Sequence, residues 1–228
     1  MRKLRFYLIF TGFLVLNGNV AFAQQDPMFA QYRFNMMSIN PAYAGSEECI
    51  SITAINRSQW IGIKGAPQTQ TLSAHTPFKK NYGLGLSLIR DQVGPVNYYA
   101  MQANSAYIFN IKDKSKLALG LMLGFSNVNI RLLNVEGIQP EDFVFQQNLN
   151  AFNPIVGFGV FYYAPSYYVG FSSPDLIENS YEDNTISWKK NRHMFFSAGY
   201  SKNIDIITIE PSLMLRYVMN APISVELS

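Results

Sequence analysis

The sequence predicts an all-β fold, an antiparallel transmembrane barrel of the outer-membrane kind with about ten strands present. Three observations carry this. Runs of roughly ten residues place large apolar side chains at every second position, the period at which a strand shows one face. Short polar turns at 77–81, 110–116, 164–166 and 202–205 alternate with longer connections at 59–68, 91–97, 128–154, 174–192 and 218–222, as the two rims of such a barrel differ. Charged residues are 14% of the chain, against about 25% in ordinary soluble domains, and an exterior this poor in charge suits lipid.

Residues 1–23 carry Arg2, Lys3 and Arg5, an apolar stretch from Phe6 to Leu16, and the small-x-small run Ala21-Phe22-Ala23. That is the pattern of a cleaved signal peptide, and the apolar run is shorter than the ~20 residues a spanning helix needs. The net charge of +3 includes those three bases, and no acid precedes Gln24, so the remainder is neutral. It offers no footprint for nucleic acid. Beyond Gln24 no stretch is apolar over 18 residues, so any membrane crossing falls to strands. The lone Cys49 excludes an intrachain disulfide framework and lies too far downstream to anchor a lipid at the cleavage point.

Residues 24–48 read as an N-terminal periplasmic or luminal segment. Phe29, Tyr32 and Met36 fall near helical spacing between Pro27 and Pro41, which predicts a short helix in the lumen or at the periplasmic mouth. Such a helix would plug the barrel, dock a partner, or simply seal the first strand.

Residues 49–228 then supply strands at 49–58, 69–76, 82–90, 98–109, 117–127, 155–163, 167–173, 193–201, 206–217 and 223–228. The clearest is Leu117 to Ser126, where Leu117, Leu119, Leu121, Leu123 and Phe125 oppose Ala118, Gly120, Met122, Gly124 and Ser126. The bulky row decides between a soluble and a membrane barrel. Opposite it stand Gly, Ser, Ala, Asn and Gln rather than Lys and Glu, a poor covering for a solvent-facing surface but a fitting one for a wet lumen. Glu210 and Arg216 share that small-residue face and are expected as lumen charges.

Aromatic residues gather at the predicted strand ends and form two interfacial girdles. Trp60, Tyr98, Tyr99, Phe125, Phe195 and Tyr217 mark the long-loop side; Tyr82, Tyr107, Phe109, Tyr162, Tyr167 and Tyr200 mark the short-turn side. Pro211 cannot donate to a ladder, so a bulge is expected there. Strand parity puts the N-terminus at the short-turn, periplasmic rim. The last run, Ile223 to Ser228, is an unfinished alternation, which leads to the expectation of an incomplete barrel with further strands to come.

Several blocks then identify a kinship. Gln25-Asp26-Pro27-Met28-Phe29-Ala30-Gln31-Tyr32, Ser38-Ile39-Asn40-Pro41-Ala42-Tyr43-Ala44-Gly45-Ser46, Arg57-Ser58-Gln59-Trp60-Ile61-Gly62 and Gly65-Ala66-Pro67-Gln68-Thr69-Gln70-Thr71 resemble the PorP/SprF family of type IX secretion system membrane proteins. Gly83-Leu84-Gly85-Leu86, Asp91-Gln92-Val93-Gly94-Pro95 and Asn220-Ala221-Pro222 extend the likeness over nearly everything after residue 23. The resemblance implies an outer-membrane barrel serving export and surface anchoring of adhesins, often with gliding motility. Implied partners are outer-membrane lipid, the periplasmic ring of the type IX machine, and an adhesin bearing a C-terminal sorting domain. Phe29, Tyr32, Asn40, Pro41, Trp60, Gly65, Pro67 and Asp91 are the candidate contact or motif residues. Trp60 serves either recognition or interface anchoring.

An enzyme is the competing class. Ser73 and His75 share one strand face and Asp91 follows across a hairpin, but there is no G-x-S-x-G elbow, no paired-His motif and no phosphate-binding glycine loop. Two histidines make a metal site improbable, so no catalytic residue, cofactor or metal is expected. Two further readings remain, a general or substrate-specific porin lined by Glu210 and Arg216, and a soluble lipid-binding barrel.

Overall fold

A computed structural model describes residues 35–111, 114–131, 149–178, 180–182, 187–189, 191–205, 207–219 and 221–228. Ten strands form one antiparallel sheet. They are β1 (Ser51–Ser58), β2 (Gln68–Phe78), β3 (Tyr82–Val93), β4 (Val96–Asn110), β5 (Lys116–Ile130), β6 (Leu149–Ala164), β7 (Tyr167–Ser173), β10 (His193–Tyr200), β13 (Ser212–Val218) and β14 (Ser224–Leu227). Each pairs with its neighbour in chain order, and β1 and β14 are the edges. Two small hairpins stand apart, β8 (Ser180–Glu182) with β9 (Ser187–Lys189), and β11 (Lys202–Ile204) with β12 (Ile207–Ile209). Among the described residues no helix is long and apolar enough to cross a membrane.

The faces follow the sequence alternation. On β5, Leu121 and Leu123 are 66% and 62% exposed, whereas Met122 between them is fully covered. Register carries this across the sheet, since residues directly paired point to the same side. Leu86, Ala103 and Leu123 make one outward row, with Ser87, Gln102 and Gly124 as the inward row beside it. On β4, Tyr99 sits toward the long-loop rim and Phe109 toward the short-turn rim. The stretch between them covers about 33 Å of strand, which at a tilt of roughly 40° matches the ~25 Å apolar band of an outer-membrane barrel.

Two expected connections and one expected strand turn out otherwise. The long loop at 91–97 is a two-residue hairpin, because β3 and β4 stay paired to Val93 and Val96. Gly94 has a positive φ of 56° at the first central position, where a tight hairpin needs glycine. The connection at 128–154 is shortened by strand extension, and residues 132–148 lie outside the described set. The strand at 206–217 does not bulge at Pro211 but divides there. Ile207–Ile209 folds back on Lys202–Ile204, β13 starts at Ser212, and the Pro211 carbonyl accepts from the Tyr200 N–H at 3.0 Å.

Candidate functional site

The inner face of the sheet holds residues 35–46 of the same chain. The local sequence makes this segment compact. Met36–Ser38 and Pro41–Tyr43 are single 3-10 turns, the second opened by Asn40, whose side chain accepts from the Ala42 N–H at 3.0 Å. Pro41 occupies the first position of that turn, where a missing N–H costs nothing. Met37, Ile39, Asn40 and Pro41 are among the most completely buried side chains described.

The wall is built to admit backbone. A Cβ at Gly83 would overlap the Ala44 carbonyl, at Gly85 the Met37 sulfur, at Gly120 the Ala42 backbone, and at Gly159 the Asn40 amide. Specific contacts complete the seat. Asn40 donates through Nδ2 to the Val160 carbonyl at 3.1 Å, and Ser73 donates from Oγ to Asn35 Oδ1 at 2.8 Å. The Gly45 N–H donates to His75 Nδ1 at 3.3 Å. Tyr43 meets the rings of His75 and Phe161 edge-on at 5.4 and 5.3 Å. Farther round the sheet, Met36 and Ile39 pack with Phe195 and Met214. The strands from β2 to β13 therefore close on one short segment, a curvature that a flat sheet could not achieve.

At the short-turn rim Tyr43 donates to Glu47 at 3.1 Å, and Lys116 pairs with Glu48 at 3.2 Å. Burial, then the charge of Glu47, pushes the Tyr43 hydroxyl well above its ordinary range, so it stays a protonated donor. Toward the long-loop rim the inner face changes character. Arg57, Thr69 and Asp91 fall on one register row, and Thr69 donates to Asp91. On the register rows of Ser73 and His75, Ser87 Oγ, Gln102 Oε1 and both amide atoms of Asn104 are buried without a protein hydrogen-bond partner among the described residues.

The sequence-derived candidates scatter accordingly. Asn40 and Pro41 lie at the centre of the seated segment, while Phe29 and Tyr32 lie outside the described residues. Trp60 is 69% exposed in the 59–67 loop, where the Pro67 carbonyl accepts from the Gln59 N–H at 3.0 Å. Gly65, at φ 78°, receives the Gly94 N–H on its carbonyl at 2.9 Å, tying that loop to the β3–β4 turn. Asp91 sits on the inner face of β3 rather than in a loop. Arg216 is buried on the inner face, but Glu210 is exposed at the short-turn rim and accepts from Ser201 Oγ at 3.2 Å, because the break at Pro211 removes it from the β13 alternation. The two expected lumen charges are not neighbours on one wall.

Ser73 and His75 do share a face, as an enzyme would require, yet both are engaged by residues 35–46. Asp91 pairs six positions farther along the strand than the partner of His75, about 20 Å away. Among the described residues no group of three or more His, Cys, Asp and Glu side chains could hold a metal. What the sequence reading missed is the meaning of the inner glycines. The alternation alone makes them part of a wet wall, whereas Gly83, Gly85, Gly120 and Gly159 make room for residues 37–44.

Residues 21–228 match the family model of the type IX secretion system membrane protein PorP/SprF, and the chain belongs to that family. No curated protein and no solved structure matches it.

Proposed function

We propose that this type IX secretion system membrane component sits in the outer membrane as a plugged barrel and assists export and surface anchoring of adhesins, with a part in gliding motility where cells glide. The signal sequence delivers it to the periplasm, and cleavage after Ala23 leaves the luminal segment near the mature N-terminus. Its work is non-enzymatic. The short-turn rim faces the periplasmic ring of the secretion machine, and the long-loop rim, with Trp60 at its tip, faces the cell surface.

One observation supports this reading over a porin: the inner face is filled by residues 35–46 at the short-turn half. An open diffusion pore needs a continuous wet path. Planar-bilayer recording of the protein purified from native membranes is expected to give no steady conductance, and a constant open channel would favour the porin. Deleting the gene is expected to strip adhesins from the surface. Adhesins present there in normal amount would defeat the secretion role.

A further inference from the structure

At the short-turn rim the seated segment and the sheet together enclose a pocket of about 320 Å³. Its walls have two sources. Tyr43 belongs to the seated segment and Glu47 directly follows it, whereas Tyr163, Tyr168 and Glu210 come from the inner faces of β6 and β7 and the turn before β13. Among the described residues no lysine or arginine lines it. Lys116, 6.0 Å over the Tyr163 ring, is held by Glu48. Tyrosine faces attract a cation by their quadrupole, their flanks take an alkyl stem, and two exposed carboxylates supply opposite charge at the mouth. An anionic or purely apolar occupant would leave one of these features unused.

We infer that this pocket takes the side chain of a lysine presented by a second polypeptide at the rim. Because part of the wall is the luminal segment, that polypeptide is held only while residues 35–46 are seated. Binding thus reports whether the barrel is plugged. The inference rests on the reading of this rim as the partner-facing mouth, and it names the chemistry of what docks there.

The test uses the detergent-purified protein at low ionic strength and three blocked pentapeptides with lysine, norleucine or glutamate between paired glycines. Thermophoresis is expected to show binding of the lysine peptide, roughly tenfold weaker binding of the norleucine peptide, and none of the glutamate peptide. Glu47→Gln combined with Glu210→Gln is expected to weaken the lysine peptide roughly tenfold. Gly120→Val, which expels the segment, is expected to abolish binding. Should that variant fail to assemble, judged by heat-modifiable migration, Asn40→Ala supplies a milder displacement and a partial loss. Equal affinity for all three peptides, no binding of the lysine peptide, or full affinity in the displaced variants would overturn the inference. The two readings fail separately: peptide binding lost in the Glu47→Gln, Glu210→Gln protein with secretion intact sinks the docking role of the pocket, whereas a deletion strain with normal surface adhesins sinks the secretion role.

Discussion

The two halves of the inner face obey the same alternation and yet do opposite things. On the short-turn half Gly83, Gly85, Gly120 and Gly159 mark places where the backbone or a side chain of residues 37–44 comes too close for a Cβ. Toward the long-loop rim the inner face instead carries Arg57, Thr69 and Asp91 on one register row, a polar row in which Thr69 donates to Asp91. A slender inner row is therefore two signals in one. Where glycines from separate strands face one point, a second piece of chain approaches closely; the row of Arg57, Thr69 and Asp91 is polar instead.

The largest effect that would break this comparison is at Gly120. Overpacking usually costs about 1–3 kcal/mol when side chains can yield, but here the obstacle is the Ala42 backbone. Gly120→Val is expected to drive the segment out while the sheet persists, read as loss of amide-exchange protection across 35–46 with β5 still protected. Next is Asn40→Ala, which removes both the cap on the second turn and the bond to the Val160 carbonyl. A loss of about 1–3 kcal/mol in detergent-micelle unfolding is expected. Ser73→Ala removes one donor to Asn35 and is expected to cost about 1 kcal/mol by the same assay.

The smallest effect is expected at Asn104, which shares a register row with Gly85. Asn104 is buried with neither amide atom bonded to protein among the described residues, so Asn104→Leu removes an unsatisfied group and is expected to change stability by less than about 0.5 kcal/mol or to raise it. A loss larger than that of Ser73→Ala would show that the amide is satisfied in the folded protein.

Much of the fold was legible in the sequence. Leu117 to Phe125 against Ala118 to Ser126 gave both the strand and its facing, because a period of two leaves no other consistent orientation once one row is bulky. Turn chemistry was harder. Asp91-Gln92-Val93-Gly94-Pro95 reads as a loop by composition, and pairing with β2 on one side and β4 on the other holds its first three residues in a strand. Pro211 cannot continue a ladder, but whether the chain bulges or divides there depends on Ile207–Ile209 finding Lys202–Ile204 as a partner, which is a tertiary choice. The seat was the least legible part. Asn40-Pro41 announces a capped turn, but nothing local says that Gly83, Gly120 and Gly159, drawn from three strands, converge on it. Glu210 was misplaced for the same reason, since its facing was extrapolated through a break.

Cysteine accessibility tests the seated segment most directly. In a Cys49→Ser background, Met37→Cys and Ile61→Cys place a thiol in the segment and in the 59–67 loop, at positions 1% and 89% exposed. With a water-soluble maleimide applied to native membranes opened to both faces, the account predicts rapid modification of the Ile61→Cys protein and none of the Met37→Cys protein until it is unfolded. Equal rates at the two positions would contradict it.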